Sequence, residues 1–155
     1  MTKNDIFIAL QEIYPLGVTG IDASIHITDY ASFAEAWGSG PTETLPTEAE
    51  LQAKVDAAAL AIYKAQMKSI VKAKAGDVIN SATPEWKQRN CLAFSIEYNA
   101  KLINSETVTA AETTEYEEIE SLWAWVKTIR AHSNSLEIDI DAGNSVDIDS
   151  GWPEQ

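Results

Sequence analysis

The sequence predicts an α-dominant α+β protein: an N-terminal helix with a small antiparallel hairpin, then a three-helix antiparallel bundle and a short β-like acidic tail. Three observations lead there. Thr-x-x-Glu helix starts occur at Thr47 and Thr109, ahead of long stretches with apolar residues three and four apart. Two short stretches, IDASIHIT at 21–28 and LEIDID at 136–141, instead alternate apolar and polar residues. The breaks between helical stretches are short, which turns each helix back on the one before it.

In chain order, NDIFIALQEIYP places Ile6, Leu10 and Ile13 on one stripe, with Phe7 and Tyr14 beside them; Asn4 is placed to cap this helix and Pro15 to end it. In IDASIHIT, Ile21, Ala23, Ile25 and Ile27 fall on one side of a half-buried strand. DYASFAEAW reads as its returning strand, with Phe33, Glu35 and Trp37 on one face; a short helix is the competing reading. After the loop GSGPTETLP, Thr47 and Glu50 form a capping box. The helix they open carries Leu51, Val55, Ala58, Ile62, Met67 and Ile70 as its stripe and is expected to end at Gly76. Lys64, Lys68, Lys72 and Lys74 then complement the negative end of its dipole.

The next helix opens at TPEW, with Thr83 as N-cap, Pro84 at the first helical position and Glu85 in the first turn, and runs to about Ile103. Leu92, Ile96 and Ile103 lie along one line of it, and Phe94, Tyr98 and Leu102 widen a band that reads as core. Thr109 and Glu112 cap the final helix, whose Tyr116, Ile119, Leu122, Trp123, Val126 and Ile129 come close to a heptad seam. In the tail, Leu136, Ile138 and Ile140 alternate with acids, AGNS is turn-like, and Val146 and Ile148 resume the alternation. This reads as a hairpin added to a sheet or an arm that orders on a partner, and removing residues 136–155 is expected to leave the helices folded. The regions are 1–45 (helix and hairpin), 46–133 (helical bundle) and 134–155 (acidic arm), with one main domain as the default at 155 residues.

The formal net charge of −13 sits at the two ends. Residues 1–53 hold eight acids against Lys3 alone, residues 54–130 balance ten with ten, and residues 131–155 hold six acids and no base. Acidic ends oppose the phosphate neutralisation that duplex binding needs, so no nucleic-acid partner is expected. Cys91 is the only cysteine, which rules out an internal disulfide and, with two histidines 106 positions apart, a Cys/His zinc set. Asp5 and Glu12 interrupt the N-terminal apolar residues and no stretch approaches a membrane span, so no membrane partner and a cytoplasmic start are expected.

No constellation for catalysis stands out. Glu117, Glu118 and Glu120 read as a solvated helix face, His26 and His132 lack a nucleophile context, and Cys91 reads as a small core residue. Asp139, Asp141, Asn144, Asp147 and Asp149 offer oxygen ligands, but their spacing departs from a calcium-binding helix–loop–helix. No catalytic residue, metal site or cofactor is therefore expected. The tryptophans are the better candidates, since aromatics concentrate at interface centres: Trp37, Trp86, Trp123, Trp125 and Trp152 are taken as partner-binding. Trp123 and Trp125, two apart on a helix, point about 200° from each other and are expected not to share a core.

Several stretches also occur in a familiar order. EIYPLG, the strand region ending in FAEAW, and LPTEAEL resemble the small XkdW-like proteins encoded beside tail-fibre genes in tailed phages. PEWKQRNCLAF followed by SLWAWVKTIRAHS resembles helical segments of phage tail-fibre-associated and fibre-assembly proteins. The resemblance reaches to about Ser133 and leaves the acidic tail unmatched. It implies a non-enzymatic assembly chaperone that binds a tail-fibre or other tail protein in the host cytoplasm. The alternative is a permanent structural component of the tail or fibre, found in the virion, with a small enzyme as the least favoured reading. It carries over no catalytic residue, and leaves homo-oligomer formation open.

Overall fold

A computed structural model describes residues 1–22, 24–38 and 40–155. These form five helices: α1 Lys3–Ile13, α2 Tyr30–Trp37, α3 Glu48–Ala82, α4 Glu85–Ile103 and α5 Ala110–Ala142. No strand occurs among the described residues, so the α+β expectation is corrected to an all-helical fold.

Four of the five helices start on a reciprocal cap. Thr47 donates its backbone N–H to Glu50 Oε2 at 2.7 Å and accepts from the Glu50 N–H at 3.2 Å, and Thr109 and Glu112 do the same at 2.8 and 3.2 Å. Thr2 and Asp5 cap α1, so the cap lies two residues before the expected Asn4. Asp29 and Ser32 cap α2. α4 is the exception: Pro84 is its N-cap with no side-chain bond, and Thr83, expected to cap it, is wholly buried.

The chain divides into two compact units, Met1–Tyr63 and Lys64–Gln155. In the first, Ile6, Ala9 and Leu10 of α1, Phe33, Ala36 and Trp37 of α2, Leu51 of α3 and Ile27 form the core. The buried spacing in α2 is three and one, a helical face, where a strand would have paired Phe33, Glu35 and Trp37. The Asp29 cap decides between the two readings, because it satisfies the amide of Ser32 within a helix start. In the expected strand, Asp22 instead accepts from the Ser24 N–H at 2.8 Å and closes a local turn. Ile21, Ile25 and Ile27 still face the core without pairing, and Ala23 lies outside the described residues. Three aromatic heads pin the segment before α3. Tyr14 Oη donates to Thr44 O (2.7 Å), Tyr30 Oη to Pro46 O (2.9 Å) and Trp37 Nε1 to Glu43 O (3.3 Å).

In the second unit α5 is the longest element. Its buried residues are Ile119, Leu122, Val126, Ile129, Ser133, Leu136 and Ile140, spaced three and four in strict alternation. The seam continues through LEIDID, so the expected β-like tail is corrected. Residues 136–141 are helical, Ile138 is 69% exposed, and Gly143 ends α5 in a left-handed C-cap with φ 81°. Leu136 and Ile140 pack with Val71 of α3. Removing residues 136–155 would therefore take away the last turns of α5 and part of a core, against the expectation from sequence.

α3 also runs past its expected stop, because Gly76 is helical and the helix continues to Ala82. Its buried residues here are Val71 and Ala75, while Ile62 and Ile70 of the expected stripe are exposed. The acids ending α5 oppose its dipole, and α3 supplies the compensation. Lys64 Nζ donates to Asp141 O at 2.7 Å, Lys68 pairs with the Asp141 carboxylate at 2.9 Å and Lys72 with Glu137 at 3.2 Å.

Candidate functional site

α4 lies antiparallel to the first half of α5, and its two long faces have opposite fates. Cys91 and Tyr98 are buried and Phe94 is half-buried, one turn apart along the face that meets α5. Cys91 packs with Ile119 and Leu122, and the Tyr98 ring stacks on Tyr116 with centroids 4.4 Å apart. Lys101 donates to the Glu112 carboxylate, closing the far end of the pair. That contact, then the Thr109 cap, lowers the Glu112 pKa to about 2; Glu112 in turn raises that of Lys101.

Leu92, Ile96 and Ile103 were expected in the core and are not there. They are 56%, 62% and 82% exposed. Spaced four and seven, they form a second line roughly 100–160° around α4 from Cys91 and Tyr98. The sequence places Phe94 and Tyr98 in one broad apolar band with Leu92, Ile96 and Ile103, and nothing in α4 alone says which part of that band α5 covers. Exposed Trp86 lies in the first turn of the same helix.

The five tryptophans divide by environment. Trp37 is core in the first unit, at 3% exposure, with its ring edge on Phe33; that burial leaves it no free face. Trp86 is 61% exposed. Trp123 and Trp125 both pack on the cluster of Cys91, Ile119 and Leu122, which corrects the expectation that they cannot share a core. They occupy the two positions flanking the α5 seam, where large rings fold in from either side. Trp125 Nε1 also donates to Pro153 O at 3.1 Å, and Trp152 sets its ring against His132 with centroids 4.8 Å apart. The structure thus gathers Trp123, Trp125 and Trp152 around α5.

A cleft of about 360 Å³ is lined by Lys87, Asn90 and Cys91 of α4 and by Glu115, Glu118, Ile119 and Leu122 of α5, with Gln155 at its edge. Cys91 forms part of its wall, with Lys87 and no imidazole among the other lining residues. Gln88 does not reach it. Its amide donates to Thr83 O at 2.8 Å and to Asn80 Oδ1 at 3.1 Å, tying the α3–α4 turn. Arg89 lies 4.0 Å from Glu85 on its own helix.

Among the described residues no three His, Cys, Asp or Glu side chains are grouped to hold a metal ion, and no helix is long and apolar enough to cross a membrane. Of the tail oxygens, Asp141 is held by Lys68, Asp149 by Lys74 and Asp139 by Asn144. Comparison with family models, with curated proteins and with solved structures finds no match.

Proposed function

We propose that this protein is a non-enzymatic, tail-fibre-associated assembly protein that holds a fibre partner against the outer face of α4. The observation that carries the reading is the row Leu92, Ile96 and Ile103, three large aliphatic side chains on one helix face with most of their surface in water. Burying each against a partner is worth about 1.5–3 kcal/mol, which favours a protein ligand over a small polar one. Anchors spaced four and seven suit a helix laid in or against an apolar groove. The order of EIYPLG, FAEAW, LPTEAEL and SLWAWVKTIRAHS supports the tail-fibre context.

The test is co-expression with the neighbouring fibre gene and purification of the complex. The wild-type chain is expected to co-purify with the fibre protein. The Leu92→Glu/Ile96→Glu double variant is expected to lose it by at least ~10-fold while keeping its helical circular dichroism, because both positions face solvent in the free chain. Equal recovery with both chains, or with neither, would sink the reading. The chain's presence in purified particles would replace the transient chaperone by a structural component.

A further inference from the structure

Beyond α5 the chain turns at Gly143, and its last residues lie back on α3 and α5. Val146, Ile148 and Trp152 pack on the cluster of Val71, Leu136 and Ile140. Asp149 pairs with Lys74 of α3 at 2.8 Å, which raises the lysine's pKa, and the Trp125 indole holds Pro153 O. Gly151 has φ 78°, and a Cβ there would come within 3.1 Å of His132 Cε1, so only glycine passes this point without strain. Among the described residues no backbone hydrogen bond joins 145–155 to α3 or α5. Each contact that seats the segment involves a side chain on at least one side, so leaving breaks no backbone ladder, and a segment from another chain can make the same contacts.

We propose that this groove is a peptide-recognition site and that residues 145–153 are its resident, displaceable occupant. The groove reads the chemistry of the segment it holds. A ligand in trans is an acidic peptide with two aliphatic side chains two residues apart, an acid next to the second, then a turn that brings Trp-Pro back as the Trp152 indole comes back on Ile148 O. Lys74 selects the acid, the Val71 cluster the aliphatic pair, and the Trp125 N–H a carbonyl. The chain's own tail keeps the groove closed until such a ligand competes for it. This surface is separate from the α4 row, so either proposal can fail without the other.

The test uses the full-length chain and a fluorescein-labelled peptide of residues 144–155, NSVDIDSGWPEQ, read by anisotropy. Trp152→Ala and Gly151→Val loosen the tail and leave the groove walls intact. Each is expected to bind the peptide at least ~10-fold more tightly than the wild type, since an intramolecular occupant competes at an effective concentration on the order of millimolar. Lys74→Glu added to Trp152→Ala is expected to remove most of that gain. Equal affinity for all chains, or no binding to any, would overturn the proposal. So would loss of helical circular dichroism in both loosened variants, because the tail would then be an inseparable part of the fold.

Discussion

Gly76 sits inside α3, and a Cβ built on it meets nothing within 4 Å. Gly76→Ala is therefore expected to raise stability by about 0.5–1 kcal/mol, read as a higher urea midpoint with unchanged slope. Glu112 carries a different prediction. Its pKa of about 2 lies below the ordinary 4.5, so its cap and its bond to Lys101 stabilise the fold above pH 4.5, and that contribution is lost as pH falls toward 2. Glu112→Gln keeps the cap but not the charge. The variant should melt below the wild type at pH 7, and the gap should close by pH 2; a gap independent of pH would contradict the assignment. Asp5, Asp29 and Glu50 are held below their ordinary values by the same kind of cap, so acid unfolding is shared among helix starts. Thr83 marks where local rules stop. A Thr-Pro-Glu start reads as an N-cap, yet the side chain is enclosed and its Oγ1 has no partner among the described residues. Thr83→Val, which fills the same space without the hydroxyl, is expected to be neutral or stabilising in thermal unfolding.

α5 sets two periodicities against each other. In LEIDID a strand would put Leu136, Ile138 and Ile140 on one face, whereas the helix buries the first and third and leaves Ile138 in water. Ile138→Glu is accordingly expected to change stability by no more than ~0.5 kcal/mol, and Ile140→Ala to cost about 2–4 kcal/mol in denaturant unfolding. Equal, large losses would restore the strand. The heptad was legible as far as Ile129, and extending it through Ser133, Leu136 and Ile140 gives the observed seam. Alternation over six residues hid it, because a short run fits both periods. The long helices and the Thr47 and Thr109 caps were legible because their signals are local. Which part of the broad apolar band of α4 is buried was not, since it depends on where α5 lies. For the same reason the row now assigned to a partner was first read as core.

At the scale of the whole chain, charge follows the helix pairing more than any ligand. The lysines of α3 meet the acids that end α5 and those of the tail, and Lys101 meets Glu112. Exposed pairs add little to stability, but those of α3 join segments distant in sequence and so favour one register. What charge leaves over is apolar surface in water, on α3 (Leu60, Ile62, Tyr63 and Ile70) as well as in the row on α4. We propose that the α4 row is exposed in the free chain and covered by the fibre partner. Hydroxyl-radical footprinting tests it most directly, with Leu92, Ile96 and Ile103 read by mass spectrometry in the free chain and after addition of the fibre protein. Strong labelling of all three is expected in the free chain and protection on addition, with buried Ile129 unlabelled throughout. Weak labelling in the free chain, or labelling that the fibre protein does not change, would contradict it.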